Sequence, residues 1–201
     1  MIRKLFRSTI VKLDLYKNDL TVLNNFKESY VPPYQFIVIS DSSNIDYFRS
    51  VREERGERFM KILLERLNSE NFLCFSFMDG NNKDVAYLRW LRKETFYHET
   101  YKKEIKLEHD EAFTLDSYTS LKHRGRGLHK EMNKRMLNYC KNDLQLKAIY
   151  MVIFSGGAFF HLHKLVTEIG YKKYSSNIYL DLSYIKSKIQ LLYARTMKAY
   201  V

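Results

Sequence analysis

Only seven glycines and two prolines punctuate the 201 residues. Few turns can depend on either type, so each place where glycines cluster carries information. Cysteine is rarer relative to its uses. Cys74 and Cys140 make neither a disulfide scaffold nor a zinc pattern. Cys74 lies in the apolar run Phe72-Leu73-Cys74-Phe75 and reads as a small buried residue. His161 and His163 stand two apart, on different sides of a helix, which argues against a metal pair. Long hydrophobic runs are missing too. The apolar stretch at 148–154 is far too short to span a bilayer. Lys12 and Asp14 interrupt the apolar start that a secretion signal needs. These absences lead to the expectation of a cytoplasmic chain with no membrane span and no metal.

What is present has a globular balance with two biases. Hydrophobic residues are 45% and charged residues 28%, which suits a folded domain with a real core rather than disorder. The aromatic share is 15%, mostly tyrosine and phenylalanine. The net charge is +11, from 34 basic and 23 acidic residues, and it favours anionic partners such as phosphates, nucleotide cofactors or nucleic acid. Lys and Arg are spread along the whole chain, so most of this charge reads as solvated surface. A basic nucleic-acid-binding module is the alternative reading. The charges form no dense block, and no DNA- or RNA-binding motif is present, so no nucleic acid partner is expected.

Hydrophobic periodicity orders the elements. Strands are expected at 9–15, 35–40, 71–78, 85–91, 112–118, 147–154 and within 171–182. Asp79-Gly80-Asn81-Asn82 joins the third and fourth as a hairpin turn. Phe59, Ile62, Leu63 and Leu67 mark a helix over 46–69. Leu128, Met132, Met136, Leu137, Cys140 and Leu144 give a second helix its buried face. A third covers 158–169 and stops at Gly170. Residues 97–109 are polar and read as a loop or short helix. The order describes a mixed α/β domain with one central sheet over 1–182. Residues 183–201 read as a basic amphipathic helix, with Ile185, Ile189 and Leu192 on its apolar face, packed on the domain or on a partner.

The most informative stretch runs from a strand end, Asp116-Ser117-Tyr118-Thr119, through Arg124-Gly125-Arg126-Gly127 into the helix that starts at Leu128-His129. The first turn of a helix leaves backbone N–H groups without partners, and the helix dipole adds partial positive charge there. Glycines let a phosphate approach that backbone, and Arg124 and Arg126 add two cations suited to phosphate oxygens. The turn matches neither a P-loop nor a dinucleotide fingerprint.

The run Arg124-Gly125-Arg126-Gly127-Leu128-His129 resembles the cofactor motif of the GCN5-related N-acetyltransferase superfamily, with Arg124 and Gly127 in the motif's places. His129 departs from the small last residue and reads as a helix position facing outward. Glu168-Ile169-Gly170-Tyr171-Lys172-Lys173 is similar to the family's later Gly-Phe pair, with Tyr171 for Phe. The resemblance covers roughly residues 70–182. It implies an acetyltransferase-type mixed sheet with flanking helices, and acetyl-CoA (coenzyme A) as cofactor, lying beside a splayed strand. The backbones of Ser117 and Thr119 would hold the pantetheine arm. Arg124 and the backbones of Gly125, Arg126, Gly127, Leu128 and His129 would hold the pyrophosphate.

The resemblance further implies an N-acetyltransferase acting on the amine of a small molecule, such as an amino sugar or metabolite. A coenzyme-A-binding protein of this fold without turnover is the alternative. Dimers are frequent in the family, and the terminal helix offers a homodimer contact. Asp116 is the candidate base, or else is paired with a nearby Lys or Arg and orients the strand. Tyr118 is the candidate acid, or else a packed core tyrosine. The family's usual acidic tyrosine falls at Val166.

Overall fold

The computed structural model describes residues 10–29, 31–155 and 160–180. The expected helix at 183–201, the first nine residues and the Gly156-Gly157 break lie outside the described residues. The elements are β1 (Ile10–Asp19), β2 (Tyr34–Ile39), α1 (Arg49–Leu67), β3 (Phe72–Asp79), β4 (Asp84–Arg92), β5 (Phe96–His98), β6 (Lys103–Ile105), β7 (Glu111–Thr119), α2 (Leu128–Asn142), β8 (Ala148–Phe154), α3 (Phe160–Glu168) and β9 (Lys172–Leu180). Seven strands form one mixed sheet in the order β2-β3-β4-β7-β8-β1-β9. Only β7 and β8 run parallel; every other neighbouring pair is antiparallel. No helix among the described residues is long and apolar enough to cross a membrane.

Alternation along β3 and β4 sorts the core into two faces. Phe75, Phe77, Tyr87 and Leu91 meet α2 through Leu128, Met132, Met136, Leu137 and Cys140, and Val166 of α3 joins them. Cys74, Leu88, Trp90 and Tyr118 meet α1 through Met60, Leu63 and Leu67. Each large apolar side chain buried in this way contributes about 1.5–3 kcal/mol relative to exposure.

Three local readings change. Residues 97–109 are neither loop nor helix at their start: β5 and β6 pair as a small hairpin. Tyr101 and Ile105 anchor it on Leu13, Phe113 and Tyr150, while Lys102, Lys103 and Glu104 stay in solvent. The 46–69 helix is preceded by a 3-10 turn at Ser42–Phe48 and is broken at Gly56, whose φ of 74° and ψ of 176° suit glycine alone. The first strand extends to Asp19 because β8 and β9 pair with it on both sides. Two of its polar residues, Asn18 and Asp14, are buried and matched. Asn18 donates to the carbonyl of Ile169 at 2.8 Å, and Asp14 meets Lys173 at 2.7 Å.

Candidate active site

β7 and β8 begin side by side and then part. Their parallel pairing covers only Glu111 with Ala148, Ala112 with Ile149 and Phe113 with Tyr150. Both strands run on, to Thr119 and Phe154, without further pairing to each other. A bulge lies in the separated part of β7. Arg89 of β4 pairs with Ser117 and Trp90 with Leu115, leaving Asp116 as the extra residue. Asp116 has a φ of 34°, and such a bulge turns and twists its strand. The gap is a cavity of about 260 Å3, bordered by Phe113, Leu115 and Ser117 on one side and Met151, Ile153 and Phe154 on the other. Arg89, His98, Asp116 and His129 also line it.

The glycine turn closes one end. Gly125 and Gly127 have φ values of 74° and 72°, and nothing lies within 4 Å of where a side chain would start on either. Among the described residues, no acceptor takes the amides of Gly127, Leu128 or His129. Three unpartnered amides at the start of a fifteen-residue helix, with Arg124 and Arg126 exposed beside them, fit an anion such as a diphosphate. The loop is braced from behind. Arg126 donates to the Tyr34 hydroxyl at 2.9 Å, and that hydroxyl meets His123 Nδ1 at 2.9 Å. Arg124 Nε donates to the carbonyl of Thr119 at 3.3 Å.

Glu54 of α1 ties the strand end to the helix. It accepts from the Tyr118 hydroxyl, from Ser120 Oγ at 2.7 Å and from the Leu121 amide at 3.0 Å. Burial works against its charge, but these bonds and nearby Arg124 hold the carboxyl below its ordinary range.

The expected site residues separate by direction. Ser117 and His129 face the cleft, and Leu128 is buried beneath the turn. Asp116 borders the cleft, with its carboxylate 2.6 Å from Arg66 Nη2. Tyr118 is turned to the α1 face, 7% exposed, with its hydroxyl on Glu54. Burial, then Glu54, raises the pKa of that phenol. His129 does not face outward. Its Nδ1 meets the Tyr87 hydroxyl at 2.7 Å, and its Nε2 is buried without a partner among the described residues. Burial first, then Arg89, pushes the ring down to about 4, so it is neutral at pH 7. If the Tyr87 hydroxyl donates to Nδ1, the ring's proton sits on Nε2, and the ring lines the cleft.

Sequence reasoning passed over Arg89, His98, Tyr87 and Glu54. His98 accepts from the Tyr101 amide at 3.1 Å through Nδ1, and burial is the main force lowering its pKa. Arg89 alone gave a signal, as a lone charge inside the apolar strand at 85–91.

In comparisons with known proteins, no family model and no curated protein matches the chain. Solved structures do share its architecture. A tandem GNAT protein from the clavulanic acid biosynthesis pathway aligns with a TM-score of 0.57 at 11% identity, covering 84% of this chain and 52% of that one. A GCN5-related N-acetyltransferase from Sphaerobacter thermophilus aligns with a TM-score of 0.58 at 7% identity, over 88% of this chain and 54% of that one. The GCN5-related glucosamine N-acetyltransferase region of a fungal multi-domain β-N-acetylglucosaminidase gives 0.55 at 11% identity, over 83% of this chain and 20% of that one. The chain thus spans about half the length of the first two and a fifth of the third. The splayed parallel pair and the turn at its end stand within an architecture these proteins share: the chain has the fold of the GCN5-related N-acetyltransferases.

Proposed function

We propose that the protein is a coenzyme-A-dependent N-acetyltransferase that transfers acetyl from acetyl-CoA to the amine of a small molecule. One observation carries this reading: the gap between β7 and β8 leads to a glycine turn where the amides of Gly127, Leu128 and His129 have no partner among the described residues. Acetyl-CoA supplies a thioester that an amine can attack. The amides of Gly127, Leu128 and His129 would hold its pyrophosphate, with Arg124 and Arg126 balancing the charge and Gly125 keeping the approach open. The backbones of Ser117 and Thr119 would hold the pantetheine arm.

Asp116, at the bulge, takes the proton that the attacking amine gives up. Its ion pair with Arg66 holds the carboxylate in place. Tyr118 serves to brace the strand end through Glu54. One structural neighbour is described as a glucosamine N-acetyltransferase region, which makes amino sugars the first acceptors to try. Release of free thiol from acetyl-CoA over a panel of amines tests the proposal. Turnover with at least one amine is expected, falling about a hundredfold in Asp116→Asn. A second reading, cofactor binding without turnover, draws on Val166. It stands fully buried where the family's acidic tyrosine falls. Tight binding with no thiol release from any amine would favour it.

A further inference from the structure

Arg89 is the one cation that β4 carries into the core. It is 6% exposed, between Leu88 and Trp90, which are 0% and 1% exposed. A guanidinium does not shed its proton, so burial without a counter-charge is costly. Among the described residues no carboxylate forms an ion pair with it. One Nη2 N–H donates to Thr114 Oγ1 at 2.8 Å, and Nε is buried with no partner among the described residues. The titratable groups that feel its charge are Tyr87, whose hydroxyl lies close enough to interact with it, His129 and Tyr171; all are neutral at pH 7 and supply no counter-charge.

Its location turns this cost into a clue. Arg89 lines the cleft between β7 and β8, together with His129, whose Nε2 is also buried and unpartnered. Among the described residues, Asp116 is the only carboxylate on that lining, and Arg66 holds it. Arg89 pairs in register with Ser117, beside the bulge, whereas the anion turn begins beyond Thr119. A diphosphate seated on that turn therefore leaves Arg89 to another group. What fits a forked donor with a second donor beside it is a planar acceptor bearing negative charge.

We propose that Arg89, assisted by His129 Nε2, is the receptor for a carboxylate that one of the reactants carries into the cleft. The inference rests on the coenzyme A reading and narrows it. Two reactants can bring such a group: a dicarboxylic acyl thioester through its far carboxylate, or an amino-acid acceptor through its α-carboxylate.

Calorimetry separates the two. Acetyl-CoA and succinyl-CoA are titrated into the wild-type chain, Arg89→Met and Arg89→Lys. Lysine and cadaverine, its counterpart without the carboxylate, are titrated into each protein saturated with free coenzyme A. An acyl source predicts succinyl-CoA binding at least about tenfold tighter than acetyl-CoA in the wild type, with the preference lost in Arg89→Met. An acceptor source predicts equal thioesters and a similar preference for lysine over cadaverine, again lost in Arg89→Met. The wild-type comparisons need no variant to fold, and Arg89→Lys, which keeps the charge, should retain part of either preference. Binding of acetyl-CoA with no preference for a carboxylate in either arm overturns the proposal and leaves the coenzyme A reading standing. Failure of every coenzyme A species to bind overturns both.

Discussion

A carboxylate in the middle of a sheet needs its partners in place, and Asp14 has three. Lys173 and Ser176 reach one oxygen at 2.7 and 2.6 Å, and Ser155 donates to the other. Burial alone would raise its pKa, but the bonds from Lys173, Ser155 and Ser176 bring it from 3.8 to about 2. A depressed carboxylate stabilises the fold above its ordinary pKa and loses that contribution as pH falls through the folded value. Denaturant titrations should therefore show the wild type losing stability relative to Asp14→Asn between about pH 4 and pH 2. At pH 7 the same substitution should cost about 1–3 kcal/mol, since Lys173 and the two serines lose a charged acceptor. A pH-independent difference between the two proteins would contradict this assignment. His129 is the residue whose direction sequence could not supply. Outward and inward positions in a helix's first turn differ by about one residue of rotation, and the hydroxyl that draws the ring inward comes from Tyr87, forty-two positions earlier.

Elements were legible where apolar spacing persisted over several turns or strand repeats. The face of α2 from Leu128 to Cys140 is buried as its periodicity predicts, and the β3–β4 hairpin turns where Asp79-Gly80 stands. The β5–β6 hairpin escaped because three residues a side give no pattern to count. The bulge at Asp116 escaped for another reason: it is a property of two strands in register, not of one. The break in α1 had its signal in Gly56, which a helical reading treats as merely unfavourable. Its φ and ψ lie where other residues are strained, and nothing within 4 Å crowds a side chain there. Gly56→Ala should then cost about 1–3 kcal/mol through the backbone alone, read as a lower denaturant midpoint with unchanged slope. Glu54, two residues before the break, gives a paired test. Glu54→Gln removes the charged acceptor of Tyr118, Ser120 and Leu121 and should cost about 1–3 kcal/mol. An unchanged midpoint in that variant would show that the strand end is held by packing instead.

At the scale of the whole molecule, the fold class followed from element order, and the glycine turn between β7 and α2 from Arg124 to Gly127, because both are local patterns in the sequence. The cleft followed only from resemblance, since strand separation depends on which strands become neighbours; β7 and β8 are joined by α2 yet pair over three residues. The charge of the cleft was legible only as a lone arginine in an apolar strand. It depends on Arg89 lacking a carboxylate partner among the described residues, and that is known only when every nearby carboxylate has been placed.

Thermal unfolding with and without acetyl-CoA, for the wild type and Gly127→Asp, tests the central claim most directly. Aspartate tolerates the positive φ at this helix N-cap and meets nothing within 4 Å, so the variant should fold. Its carboxylate would repel a pyrophosphate from the amides of Gly127, Leu128 and His129. At about a hundred times the dissociation constant, binding should stabilise the wild type by about 2.7 kcal/mol. For a chain of this length that is a rise of about 5–11 °C, absent in the variant. A folded wild type with no rise at millimolar cofactor, or an equal rise in both proteins, would contradict the account.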